Sequence, residues 1–274
     1  MSSRRITRLV RHHLLTVFAV LALGYIMLPI AVMTLFSFND PAGRFNYTWQ
    51  GFTVKYWADP FGVPGLWPAL RTSLEIAALA SIIATILGLL ISLALVRHYF
   101  RGRGSTNILI FLPMSTPEIV MGASLLALFL NLGVATGFVT ILIAHIMFCI
   151  SFCVVTVKAR LTGFDRRLEE AAMDLGANEL RTFMRITLPL IAPGVGAAAL
   201  LAFALSIDDF VITNFTSGTT VTFPLFIWGA ARVGVPPQVN VIGTCIFLIA
   251  VGIMAIFAVI TIVRARRDQA IAAG

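Results

Sequence analysis

Six apolar runs, each long enough to cross about 30 Å of hydrocarbon as a helix, leave this chain few ways to fold. The runs are predicted at 14–36, 70–96, 108–131, 134–157, 190–215 and 239–263. Inside a bilayer every backbone N–H and C=O must be bonded within the segment, so runs of this kind form helices. Of the 274 residues, 59% are hydrophobic and only 12% charged, which excludes an ordinary water-soluble domain. The first run follows Arg4, Arg5, Arg8 and Arg11, as a signal peptide would. It is too long for such a signal and no small-x-small cleavage site closes it, so it is expected to remain as the first span. The expected fold class is all-α: a polytopic membrane protein with six transmembrane helices.

The net charge of +8 does not point to nucleic acid, because the cations are distributed by side. Arg4, Arg5, Arg8 and Arg11 precede the first run, and Arg97, Arg101 and Arg103 follow the second. Lys158, Arg160, Arg166, Arg167, Arg181 and Arg185 lie between the fourth and fifth, and Arg264, Arg266 and Arg267 follow the sixth. With six crossings all of these fall on one side, and only Arg44, Lys55, Arg71 and Arg232 on the other. That asymmetry sets orientation, with the N and C termini cytoplasmic.

Between the runs, the outer segment 37–69 is long and carries Trp49, Trp57 and Trp67, residues suited to a membrane interface. The second run places Ala80, Ala84, Gly88 and Ser92 at four-residue spacing, a stripe for close helix packing. Pro113 and Pro117 should kink or partly unwind the third run. The short link near Gly133 predicts a tight hairpin of the third and fourth spans. Residues 223–231 read as a short re-entrant or interfacial helix. Cys149 and Cys153 are a helical turn apart with no His or carboxylate on that turn, so they are read as buried thiols rather than a metal site. His145 is a lone His in an apolar helix and is read as packing.

No phosphate-binding loop is present: Lys55 and Lys158 are the only lysines, and no glycine loop precedes either. The informative polar residues lie at membrane depth. Glu118 falls near the middle of the third run, and Asp208 and Asp209 in the outer half of the fifth. A central carboxylate costs about 2.5–3.5 kcal/mol on insertion scales. No Lys or Arg lies deep in any run to offset it, which favours a path for cations. The alternative is pairing with a partner subunit or with Arg232, or a place among the outer headgroups. Asp209 shares a helical arc with Ala198, Ala202 and Ser206, whereas Asp208 lies about 100° away. Unless the helix breaks there, the two cannot face one lumen equally.

The polar segment 170–189 sits between long apolar runs. Its local pattern is helix, Gly176, helix: glycine accommodates the left-handed turn that ends the first, and Asn178 caps the second. Ala172 and Gly176, at i and i+4, leave one face nearly bare. Glu170, Ala171, Ala172, Gly176, Ile186, Leu188 and Pro189 match the spacing Glu-Ala-Ala, three residues, Gly, nine residues, Ile-x-Leu-Pro. This resembles the EAA motif of ABC importer permeases. The resemblance implies that the segment, with Asp174 inside it, is a coupling helix docked on an ATPase subunit.

A second, narrower resemblance is carried by 206–218 (SIDDFVITNFTSG), 36–40 (FSFND), 49–53 (WQGFT) and 233–240 (VGVPPQVN). These segments are similar to the second membrane subunit of polyamine permeases of the spermidine/putrescine importer type. The resemblance implies a type I ABC importer permease fold in one permease domain, 1–274. It has a peripheral first helix at 14–36, a five-helix core at 70–263 and a cytoplasmic coupling segment at 158–188. It implies a homologous second permease subunit, two ATPase subunits that bind the ATP and Mg, a periplasmic or lipid-anchored substrate-binding protein, surrounding lipid, and no cofactor on this chain. Carried over by position, Asp208, Asp209, Ser206, Glu118 and Trp49 are the candidates for substrate passage. The chemistry agrees, since carboxylates attract ammonium groups and a Trp face can hold a cation. The expected function is therefore the polyamine-translocating subunit of a bacterial inner-membrane importer, with no catalytic residues. An ABC permease for another small solute, such as an opine or aminoethylphosphonate, is the alternative. A proton-coupled secondary transporter is disfavoured by the EAA segment and by the lack of an internal repeat.

Overall fold

The computed structural model describes residues 3–43 and 45–272. The helices in chain order are α1 (Ser3–Phe36), α2 (Lys55–Ala58), α3 (Leu66–Arg97), α4 (Arg103–Ser115), α5 (Glu118–Asn131), α6 (Phe138–Thr162) and α7 (Arg167–Asp174). They continue with α8 (Glu179–Thr182), a π-helical stretch (Phe183–Thr187), α9 (Leu188–Ile207), α10 (Val211–Thr216), α11 (Phe223–Val233) and α12 (Pro237–Ala272). Among the described residues no strand forms beyond a lone antiparallel bridge between Asn39 and Phe52. Arg44 and the side chains of Arg4, Arg5, Arg8, Arg11, Arg264, Arg266 and Arg267, on which part of the charge asymmetry rests, lie outside the described residues.

Among the described residues, five helices are long and apolar enough to cross a membrane, or six if α4 and α5 make one broken span. The third run is broken more sharply than a kink: α4 and α5 meet at 106°. The break falls at Thr116–Pro117, whose backbones are extended (φ −83°, ψ 132° and φ −56°, ψ 130°). A proline drives the residue before it out of the helical region, which accounts for Thr116. Pro113 is carried inside α4 without a break. The expected tight hairpin does not form. α5 lies chiefly along α10 and only lightly on α6, and Gly122 lets the Phe215 ring come within 2.6 Å of where a Cβ would sit.

The chain divides into two compact units, Trp67–Trp228 and Met1–Leu66 with Gly229–Gly274. In the first, α6 is the central helix. The α3 stripe packs on it as the four-residue spacing predicts: a Cβ at Gly88 would fall 2.5 Å from the Cys153 Cβ, and the Ser92 hydroxyl donates to the Val154 carbonyl at 3.1 Å. On another side α6 packs closely on α9. The Cys149 and Cys153 thiols donate to the carbonyls of Ala202 and Ala198 at 3.5 and 3.7 Å. Lipid offers no hydrophobic drive between helices, so close backbone approach and such interhelical bonds, each worth about 0.6 kcal/mol, hold the bundle.

In the second unit α1 packs along α12, with Gly243 facing the Met33 sulfur. The outer segment folds on itself. Asn39 donates to Asn46 Oδ1 at 2.7 Å and to the Thr48 carbonyl at 2.8 Å, and accepts from the Gln50 N–H at 2.7 Å. Phe38 is stacked between Phe52 and Trp57. Lys55 pairs with Asp40, which together with the Tyr56 hydroxyl holds the exposed ammonium above its ordinary pKa.

Candidate functional site

The polar segment between α6 and α9 is built as its sequence dictates. α7 ends at Gly176, whose φ of +86° only glycine adopts without strain. Asn178 caps α8, its side chain accepting the Arg181 N–H at 2.8 Å. From Glu179 the chain runs through the π turn into α9. Ala172, Gly176, Arg181, Arg185 and Ile186 line a concavity of about 260 Å³. Glu170, Ala171 and Asp174 face solvent, as does Pro189 at the start of α9, while Leu188 is half-buried. Leu175 is 89% exposed and Leu180 70%, an unusual display of apolar surface on a polar segment.

The segment is tied to the membrane helices by a residue that sequence inspection passes over. Glu169 is buried, pairing with Arg97 at the end of α3 and accepting from the Thr187 hydroxyl. Glu170, one residue on and about 100° round the helix, points outward. Nothing local distinguishes the two, because the partner of Glu169 is 72 residues away.

At membrane depth, a buried polar cluster joins α6, α9 and α10. His145 on α6 contacts the Ser206 hydroxyl through Nδ1 at 2.7 Å. Its Nε2 lies 2.9 Å from Thr213 Oγ1 and 3.2 Å from Asp209 Oδ2. Asp209 also accepts from the Thr213 N–H and hydroxyl, both at 2.8 Å, and from the Ile212 N–H at 3.4 Å. Thr213 therefore donates its hydrogen to the carboxylate and offers its oxygen to Nε2–H. In the neutral ring Nδ1 then accepts from Ser206.

Two expectations need correction. Asp209 is not a poorly compensated carboxylate: it is 9% exposed, and an imidazole, a hydroxyl and two N–H groups satisfy it. The arc Ala198, Ala202 and Ser206 does not open on a lumen but is buried against α6, where small side chains allow the cysteine contacts. The helix does break between Ile207 and Val211, so Asp208 and Asp209 take different surroundings, and Asp208 is the exposed one. Glu118, the first residue of α5, is exposed just after the 106° bend. Trp49 is half-exposed in the outer segment of the other unit. The structure thus brings Asp209 and Ser206 together on His145, a residue read from sequence only as packing. The one local hint was a polar series on α6, Thr140, His145, Cys149 and Cys153, whose members all reach α9 or the end of α10.

Comparison with known proteins agrees with this architecture. The family described as binding-protein-dependent transport system inner membrane component matches residues 84–271. The spermidine/putrescine transport system permease protein PotC of Escherichia coli (strain K12) is 41% identical over 228 residues, covering 83% of this chain and 86% of its own. The putrescine transport system permease protein PotI of the same strain is 37% identical over 260 residues, covering 91% and 92%. Among solved structures, a chain of a bacterial ABC transporter involved in the import of the acidic polysaccharide alginate superposes with a TM-score of 0.64. It shares 19% identity over 95% of this chain and 97% of that one, a likeness of fold.

Proposed function

Because the chain belongs to the family of binding-protein-dependent transport system inner membrane components, we propose that it is the permease subunit of an ATP-driven importer. Its cargo is polyamines of the spermidine and putrescine type, carried into the cytoplasm by alternating access. The observation that carries the substrate class is the 41% and 37% identity, over more than four-fifths of the chain, to permeases named for spermidine and putrescine.

The remaining parts of the machine follow the same reading. The segment 170–189 docks on an ATPase subunit through the concavity at Gly176 and the exposed Leu175 and Leu180, with Glu170 and Asp174 at its solvent face. Two such ATPases bind ATP and Mg; this chain supplies the docking surface and the path. A homologous second permease completes the pathway, and a periplasmic or lipid-anchored binding protein delivers cargo. The membrane is the bacterial inner membrane, with both termini in the cytoplasm. Asp208, Glu118 and Trp49 are the groups that meet ammonium groups in transit, and Asp209 with Ser206 supports them from within the protein.

The test is radiolabelled spermidine uptake in cells lacking other polyamine importers, with the complex co-expressed. Uptake should need the ATPases and should be competed by putrescine. Competition by a solute without amines, and not by putrescine, would overturn the substrate class. Uptake driven by a pH gradient without ATPases would overturn the ABC mechanism.

A further inference from the structure

We propose that His145 is a positioning residue that holds open the break between α9 and α10 and so presents Asp208. The inference rests on the reading of Asp208 as a residue of the translocation path.

Only three residues, Asp208, Asp209 and Phe210, separate α9 from α10. The first and last of them keep nearly helical dihedrals, φ −99°, ψ −3° and φ −101°, ψ −40°. No proline or glycine lies at this break. A continuous helix through 208–210 is therefore a close backbone alternative, and side chains decide against it. In such a helix the N–H groups of Ile212 and Thr213 would bond to the carbonyls of Asp208 and Asp209. Here they meet the Asp209 carboxylate instead, at 3.4 and 2.8 Å. A short acidic side chain competing with the backbone for its own N–H groups breaks a helix in just this manner.

The carboxylate performs that task only if it is held, and His145 is what holds it. One ring touches the end of α9 through Ser206 and the start of α10 through Thr213 and Asp209, so a single imidazole spans the break. His145 is 2% exposed, Ser206 4% and Thr213 0%, so the contacts are shielded from bulk solvent. The ring is fixed in turn by the packing of α6 on α9. With Asp209 turned inward, its neighbour Asp208 is left facing outward. Without the ring, the carboxylate loses a partner at a depth where an unpaired charge is costly, and the helix can close. Closing would swing Asp208 about the helix axis and change its exposure.

The experiment separates this inference from the substrate reading. In the assembled complex bearing Cys245→Ser, Asp208→Cys is labelled with a cationic methanethiosulfonate. Combining it with His145→Leu should slow labelling about tenfold or more, the scale expected when a charged group loses a hydrogen-bond partner. His145→Gln places an amide near the Nε2 position and should restore the rate. His145→Asn reaches only toward Ser206 and should behave as the Leu variant, and it serves where Leu prevents assembly. Unchanged labelling in the Leu or Asn variant overturns the proposal. Spermidine uptake with native Asp208 should follow the same order, Gln above Asn and Leu, through KM more than through maximal rate. If Asp208→Asn transports normally, the path reading fails, while the labelling series still reports on His145.

Discussion

At Glu169 a carboxylate is turned inward onto the Arg97 guanidinium and the Thr187 hydroxyl, while Glu170 beside it faces solvent. Removing one member of such a pair leaves the other charge poorly solvated. Glu169→Gln keeps an acceptor for Thr187 but strands Arg97, and should destabilise the purified complex by about 1.5–3 kcal/mol. Transport per ATP hydrolysed should fall, because the segment loses its tie to α3. The exchange Glu169→Arg with Arg97→Glu should recover part of both. Normal melting temperature and normal coupling in Glu169→Gln would show the pair to be idle. Membrane-depth carboxylates separate in the same way. Asp208→Asn removes an exposed charge without touching the His145 cluster, so it should raise the KM for spermidine and leave assembly unchanged. A loss of assembly instead would place Asp208 in a subunit contact.

Among the elements, the turn at Gly176 gives the sharpest test. Its φ of +86° costs about 1–2 kcal/mol for any residue with a Cβ. No atom lies within 4 Å of that Cβ position, so the penalty is in the backbone and not in a clash. Gly176→Val should therefore leave the protein inserted but displace α7 from α8. Co-purification with the ATPases should drop, and Gly176→Asn, which tolerates this conformation better, should drop less. Equal retention of all three would refute the docking role. This turn, the Asn178 cap, the break before Pro117 and the α3 stripe were legible in the sequence because each is local: a residue type and its immediate neighbours decide the backbone. The break at Asp208–Phe210 was not legible, since nothing in those residues forbids a helix. It depends on His145, more than sixty positions earlier in the chain, as the inward turn of Glu169 depends on Arg97. Placing Asp209 by its helical arc failed for a related reason. The arc identified the small face of α9, but small faces also serve helix packing, and here they serve α6.

For the molecule as a whole, the ion pair between Arg97 and Glu169 fixes the number of crossings in its stretch of chain. Arg97 closes α3 and Glu169 follows α6, and their contact puts both on one side of the membrane. Lys158 near the end of α6 likewise donates to Asn107 near the start of α4, at 2.8 Å. The chain between them must cross an even number of times. If α6 crosses once, the expectation is that α4 and α5 together cross once more, as a span broken at Thr116–Pro117. The link from Leu132 to Gly137 then lies on the opposite side from Arg166. If α1, α3, α9 and α12 each cross once, six crossings and both termini on the side of Arg166 are the expected outcome. Impermeant thiol labelling of intact cells tests this with single cysteines. Asn46 is a poor reporter, because it is buried and donates to the Phe36 carbonyl at 2.9 Å. Tyr47 and Leu132 are 63% and 66% exposed and serve instead. Tyr47→Cys and Leu132→Cys should label from outside, and Arg166→Cys only after the membrane is permeabilised. Leu132→Cys protected while Arg166→Cys labels in intact cells would make α4–α5 re-entrant, and would require the Arg97–Glu169 contact to be broken in the membrane.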